Sequence, residues 1–355
     1  MTLPIFDIAS QRITPDFAVR IEGIPLAAPV LKSIMNVTVN QFADGSSSFS
    51  LQVNDPSFQL TDTVKGFFSE GKRVEIAMGY VGRTRSMIVG DITAISVDLE
   101  ESGGFTLNAQ GFDRLHAATR GTKYREFRDD QTDSDIVSEI ATALKLTPSV
   151  EKTKARNDRQ IQNNKSDLDF LESLAKINGF DLWVDGDVLN FKKERSIQTA
   201  TVARGRDLIS FSARLSTAGH VDSIEVRGMN TSEKTAFHAS AEAGQVPDYS
   251  ARLSETGRTQ VSSGGSGKTK RVIHTNCRVS TIDEAKNLAE AMMRNQRRDL
   301  LTANGSVVGN QEIRAGGLLK IENIGRFSGS YVVETADHTI GSAGYRTSFT
   351  LRSNL

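Results

Sequence analysis

The 355-residue chain has one cysteine, no net charge and no long apolar run, and each shortage excludes something. The lone Cys277 cannot close an intramolecular disulfide, which points to folding in a reducing compartment. It sits in Arg271-Val272-Ile273-His274-Thr275-Asn276-Cys277-Arg278-Val279, which reads as a strand, so a packed thiol is expected there rather than a nucleophile. Lys plus Arg number 43, as do Asp plus Glu. That balance gives no general attraction to nucleic acid or acidic lipid. No stretch approaches the roughly 18 apolar residues that span a bilayer. Residues 1–10 lack the basic start and apolar centre of a secretory signal.

Catalytic signatures are also missing. There is no Gly-x-Ser-x-Gly elbow and no Cys–His pattern for nucleophilic chemistry. None of His116, His220, His238, His274 and His338 lies four residues from another or has a Cys or carboxylate at zinc-site spacing. His220-x-Asp222 is the nearest pair, and all five read as surface or turn residues. Ser262-x-x-x-x-Gly267-Lys268-Thr269 is close to a P-loop, but it lacks the first glycine, the strand before and the helix after. It reads as a flexible loop that does not hold ATP. Asp129, Asp130, Asp133 and Asp135 lack the glycine and terminal Glu of a calcium loop and read as helix capping and solvated charge. Arg294, Arg297 and Arg298 suit the C-terminal end of a helix dipole, and Trp183 reads as core packing. No catalytic, cofactor or metal residue is expected.

What is present is β-pattern. With 38% hydrophobic and 24% charged residues over this length, two or three ordinary domains are expected. Phe17, Val19 and Ile21 alternate, as do Met35, Val37 and Val39, then Phe49, Leu51 and Val53, then Val74, Ile76 and Met78. Each run predicts a strand with one face on a core. A related pattern occurs twice. Gly71-x-x-Val74-x-Ile76 leads to Phe105-Thr106-Leu107, and Gly316-x-x-Leu319-x-Ile321 leads to Phe349-Thr350-Leu351. Between these ends lie Ile88-Val89-Gly90-Asp91-Ile92 and Phe327-Ser328-Gly329-Ser330-Tyr331-Val332-Val333. The pairing predicts one small β-domain used twice.

Between the copies the period becomes helical. Thr132 offers an N-cap before Ile136, Val137, Ile140, Ala141 and Leu144. Ser166 starts a second helix that ends near Gly179. Asp185-Gly186 predicts a type I′ hairpin turn. Thr281-Ile282-Asp283-Glu284 reads as a capping box for a further helix. Tyr345, Thr347, Phe349 and Leu351 alternate at the end. The expected organisation is an arm over 1–16, a first tube-like β-barrel over 17–118, an α+β insertion over 119–195, and a second barrel over 196–355. The second barrel is expected to carry a long polar loop at about 229–270 and a helix at about 282–300.

The run from Gly111-Phe112-Asp113-Arg114-Leu115, through Gln162-Asn163-Asn164-Lys165-Ser166-Asp167-Leu168-Asp169-Phe170-Leu171, to Gly179-Phe180-Asp181-Leu182-Trp183-Val184-Asp185-Gly186 resembles the late control protein D family of contractile-tailed phages. It also resembles the hub part of VgrG-type injection-system proteins. Phe327-Ser328-Gly329-Ser330-Tyr331-Val332-Val333 with His338 is similar to the same family. The resemblance spans roughly residues 15 to 355. It implies a non-enzymatic baseplate hub in which a homotrimer presents two barrels per chain and adapts a three-fold spike to a six-fold inner tube. The implied partners are a separate spike protein, an inner tube or tube-initiator protein, other baseplate proteins and a tape measure protein in the lumen. Sequence-specific nucleic-acid binding and membrane insertion are not implied. Assembly would take place in the bacterial host cytoplasm, as part of a virion tail or tail-like particle. The alternatives are the hub of a bacterial contractile injection system, a peptidoglycan-active tail enzyme, and an ATP-dependent assembly factor resting on Gly267-Lys268-Thr269 alone.

Overall fold

The computed structural model describes residues 14–56, 60, 67–99, 104–128, 130–153, 160–193, 199–216, 221–230, 234–242, 271–274, 279 and 281–354. The first barrel is built from β1 (Pro15–Ile21), β2 (Ile24–Pro25), β3 (Ile34–Phe42), β4 (Ser48–Asn54), β5 (Arg73–Tyr80), β6 (Arg83–Leu99) and β7 (Phe105–Asp113), with helix α1 (Ala28–Ser33) before β3. Alternate residues point to opposite faces of a strand. Val37, Val39, Leu51, Val53, Val74, Ile76, Met78 and Leu107 therefore meet in one core. The strand β1 already begins at Pro15, inside the expected arm. Met35 departs from the sequence reading. A register shift between Ile34 and Asn36 turns Ile34 inward and leaves Met35 44% exposed.

The insertion carries its own core, from Leu115 to Phe191. Its elements are β8 (Lys123–Glu126), α2 (Asp133–Ala143), β9 (Thr147–Val150), β10 (Ile161–Lys165), α3 (Asp167–Asn178), β11 (Asp181–Asp185) and β12 (Val188–Lys192). Thr132 caps α2 in a reciprocal box with Asp135, Ser166 caps α3, and Gly179 ends α3 at φ 67°. The β11–β12 turn differs from the expected one. Asp185 pairs with Val188, so the central residues are Gly186 and Asp187, and only Gly186 has positive φ. That is the type II′ requirement, with glycine first.

The rest comprises β13 (Thr199–Ala203), β14 (Leu208–Leu215), β15 (Ser223–Asn230), β16 (Thr235–Glu242), β17 (Arg271–His274), α4 (Ile282–Arg298), β18 (Leu301–Val308), β19 (Leu318–Glu322), β20 (Gly329–Gly341) and β21 (Gly344–Ser353). The expected loop at about 229–270 contains structure. Residues 235–242 form β16, paired along its whole length with β15, because Phe237, Ala239 and Ala241 alternate towards α4. With α4 they enclose a fourth core, including Ile224, Val226, Ala285, Leu288 and Met293, and β17 pairs parallel with β15 beside it. Thr281 caps α4 by accepting from the Glu284 N–H.

The fold is β-rich and holds two similar barrels. The first runs laterally as β1-β5-β6-β7-β4-β3, the second as β13-β19-β20-β21-β18-β14, so strands of equal rank in sequence hold equal places. One pairing differs: β1 is antiparallel to β5, whereas β13 is parallel to β19. The irregularities recur. Register shifts fall between Ile34 and Asn36 and between Leu208 and Ser210. They fall again between Ile92 and Ala94 and between Val333 and Thr335. The Gly71 N–H donates to the Ile92 carbonyl at 2.8 Å, and the Gly316 N–H to that of Val333 at 2.7 Å. Both glycines need positive φ, 82° and 79°.

Gly71 and Gly316 therefore correspond, but two other sequence anchors do not. Gly90 pairs with Val74, while Leu319, the counterpart of Val74, pairs with Tyr331 rather than Gly329. Phe105 closes the β6–β7 hairpin opposite Leu99, as Tyr345 closes β20–β21 opposite Ile340. Phe349 instead corresponds to Ala109. Alternating strands offer the same short pattern at several registers, and only the pairing decides among them.

Candidate functional site: the joint between the barrels

The strand β20 has 13 residues and serves both barrels. Residues 329–332 pair with β19, and residues 335–340 pair antiparallel with β3, Thr335 opposite Phe42 and Ile340 opposite Val37. The bulge after Val333 marks the change of partner. The two barrels thereby share one 13-stranded sheet. Past the hand-over, the β20–β21 hairpin drives Ile340 and Tyr345 into the first barrel's core. Each such burial contributes roughly 2 kcal/mol.

His338 sits at the centre of this joint and is fully buried, against the expectation of a surface or turn histidine. Its Nε2 is 2.9 Å from the Ile313 carbonyl, which can only accept, so Nε2 carries the hydrogen. Nδ1 then accepts from the Tyr345 hydroxyl at 2.9 Å and faces the Thr347 hydroxyl at 3.1 Å. Burial, opposed by the Ile313 carbonyl and aided by the Arg314 charge, lowers its pKa from 6.5 to about 3. The imidazole is neutral and works as a two-ended strut.

The β5–β6 turn meets the loop before β19. The Tyr80 hydroxyl donates to the Gly309 carbonyl at 2.9 Å, Gln311 Nε2 to that of Arg83 at 2.8 Å, and Arg85 pairs with Glu312 at 2.9 Å. Arg314 donates to the Ser86 carbonyl, and burial pulls its pKa down. Beside these contacts lies a groove of about 640 Å³, lined by Gln41, Asp113, Trp183, Asp185, Lys192 and Arg314 among others. Trp183 is half-buried and lines this groove instead of packing in the core. The β11–β12 turn is tied to the first barrel through Asp187, which pairs with Arg73 and Arg114. Asp113 accepts from the Ser46 hydroxyl and from the Ser47 and Leu115 N–H groups. Burial raises its pKa in spite of them.

The other sequence candidates lie apart from the joint. His116 stacks on Phe112 with ring centroids 4.4 Å apart, His238 is exposed on β16, and His274 ends β17. His220, Asp129, Cys277 and the Ser262 to Thr269 segment lie outside the described residues. Asp135 completes the α2 cap, Asp133 is buried and accepts from Asn178 Nδ2 at 2.6 Å, and Asp130 pairs with Arg128. The Arg294 guanidinium lies beside Gly179, at the C-terminal end of α3. Among the described residues, no three His, Cys, Asp or Glu side chains group as metal ligands, and no helix is long and apolar enough to cross a membrane. Sequence reasoning missed the joint because its parts come from four distant stretches.

No curated protein matches the chain. Solved structures do. A 43 kDa tail protein of prophage MuSo2 from Shewanella oneidensis is 14% identical. The match covers 96% of this chain and 98% of that one, with a TM-score of 0.70. A tail protein from Neisseria meningitidis MC58 is 12% identical over 96% and 97%, with a TM-score of 0.66. The Escherichia coli c3393 protein, described as a type VI secretion component similar to the T4 tail proteins gp27 and gp5, is 12% identical over 95% and 77%, with a TM-score of 0.59. These likenesses support the tail and VgrG-type fold that the sequence resembled, while the family match carries a different description from late control protein D. That match runs from residue 13 to residue 342, and by it the chain belongs to the family described as the Alg8 N-terminal domain.

Proposed function

We propose that the chain is a structural, non-enzymatic hub of a contractile phage tail or tailocin. In this reading three copies form a ring that fits a three-fold spike to a six-fold inner tube. The observation that carries it is the duplicated barrel with a joint already built between the copies. A six-fold tube end offers six equal docking edges, and three chains meet all six only if each brings two like barrels. The division into an arm over 1–16, barrels over 17–118 and 196–355, and an insertion over 119–195 belongs to this reading. The insertion then sits off the ring.

The partners that follow are a spike, an inner tube or tube-initiator protein, other baseplate proteins and a tape measure protein in the lumen, with assembly in the host cytoplasm. The hub of a bacterial injection system is the same architecture in another setting, and the tail-protein and type VI folds support both. Sedimentation at micromolar concentration, with and without spike protein, tests the reading. It predicts a trimer held by an interface of roughly 2,000 Å² or more. A strict monomer in both conditions contradicts it.

A further inference from the structure

We propose that a second copy of this chain docks on the first barrel along β6, residues 94–99 of one copy pairing antiparallel with β14 of its neighbour. The inference rests on the ring reading above and names the seam between chains. Its template lies within the chain, where residues 335–340 of β20 pair with β3. The duplication makes β6 the counterpart of β20 and β14 the counterpart of β3, and the shared register shifts fix the alignment residue by residue.

Both counterparts stand open among the described residues. The β6 strand pairs with β5 only as far as Asp91, so residues 94–99 have β7 on one side alone. The β14 strand ends the sheet, and its residues 210–215 pair only with β18; Leu208, at its start, also bridges Arg204. An unpaired strand edge is a template for another chain. Burial carries the mark of a missing neighbour. In β20, His338 and Ile340 are 0% and 6% exposed, while their counterparts Val97 and Leu99 are 51% and 71% exposed. Val37 and Val39 of β3 are fully buried, while Phe211 and Ala213, their counterparts in β14, are only half-buried.

The register of the internal joint, carried over, sets Ile95 opposite Leu215, Val97 opposite Ala213 and Leu99 opposite Phe211. Apolar residues meet apolar residues at each inward position, although side-chain type played no part in the alignment. Outward, Ser96 meets Arg214, and Arg214 lies diagonal to Asp98, within reach of an ion pair. A slip of one residue would bring Val97 against a polar neighbour on the wrong face. The contact is head-to-tail, since each barrel gives a β20-type strand on one side and accepts one on the other. Such contacts close into rings when the rotation closes.

Disulfide trapping tests this with the full chain in a Cys277→Ser background. Directly opposed strand residues have Cα atoms about 4.5–5.5 Å apart, within disulfide range. Under mild oxidation, Val97→Cys with Ala213→Cys is expected to give covalent dimers and trimers, with the trimer as the largest species. Val97→Cys with Arg214→Cys, one residue out of register, is expected to stay uncrosslinked. A trimer in sedimentation that the in-register pair does not trap overturns the seam and leaves the ring reading standing. A covalent ladder past three chains overturns the ring and keeps the seam. A monomer with no cross-link overturns both.

Discussion

At the residue scale the joint depends on groups with little room for substitution. His338 is held neutral, with its pKa lowered to about 3, so unfolded chains bind a proton that folded chains refuse. Its contribution is fully present above pH 6.5 and is lost as pH falls from there towards 3, at up to about 1.4 kcal/mol per pH unit. Thermal unfolding midpoints are therefore expected to drop between pH 7 and pH 5. The His338→Gln variant keeps a donor and an acceptor but cannot titrate, so it should start lower and lose less over the same interval. An equal pH slope in both proteins would remove His338 as the cause. Gly309 is the second such position. A Cβ there would lie 2.0 Å from the Tyr345 ring, in the hairpin tip that enters the first barrel. Gly309→Ala should cost about 1–3 kcal/mol, read as a lower denaturant midpoint.

At the element scale, what was legible in the sequence was what is local. The caps at Thr132, Ser166 and Thr281 are set by neighbours within three residues, and each stands where the spacing put it. Thr132→Ala should cost about 1 kcal/mol, seen as faster amide exchange in the first turn of α2. Gly71 and Gly316 were legible because positive φ is a demand of the backbone itself. The β11–β12 turn was placed one residue early, since the strand pairing and not the dipeptide chooses the central residues. His338 was misread because Ile313, Tyr345 and Thr347 surround it only after folding. The second half of the repeat was masked by a swap of volumes. In the first barrel Leu51 on β4 faces Ala109 on β7, while at the corresponding pair in the second Gly305 on β18 faces Phe349 on β21, whose ring covers it. Large and small have traded strands, so the cores match where the letters do not.

At the scale of the whole molecule, the chain is a pair of barrels already joined in the way each could join another copy. That economy places one closed seam and two open half-seams in a single polypeptide, which is the minimum needed for a ring of alternating barrels. The fourth core, built on β15, β16 and α4, is inserted between β14 and β18 of the second barrel. The α+β insertion stands between the barrels in sequence, so both additions leave the barrel topology unchanged. The most direct test is an image reconstruction of the purified assembly. The account predicts three chains whose six barrels superpose in topology and alternate at one height around a common axis. Barrels at two different heights along that axis, or chains that meet through the insertion instead, would contradict it.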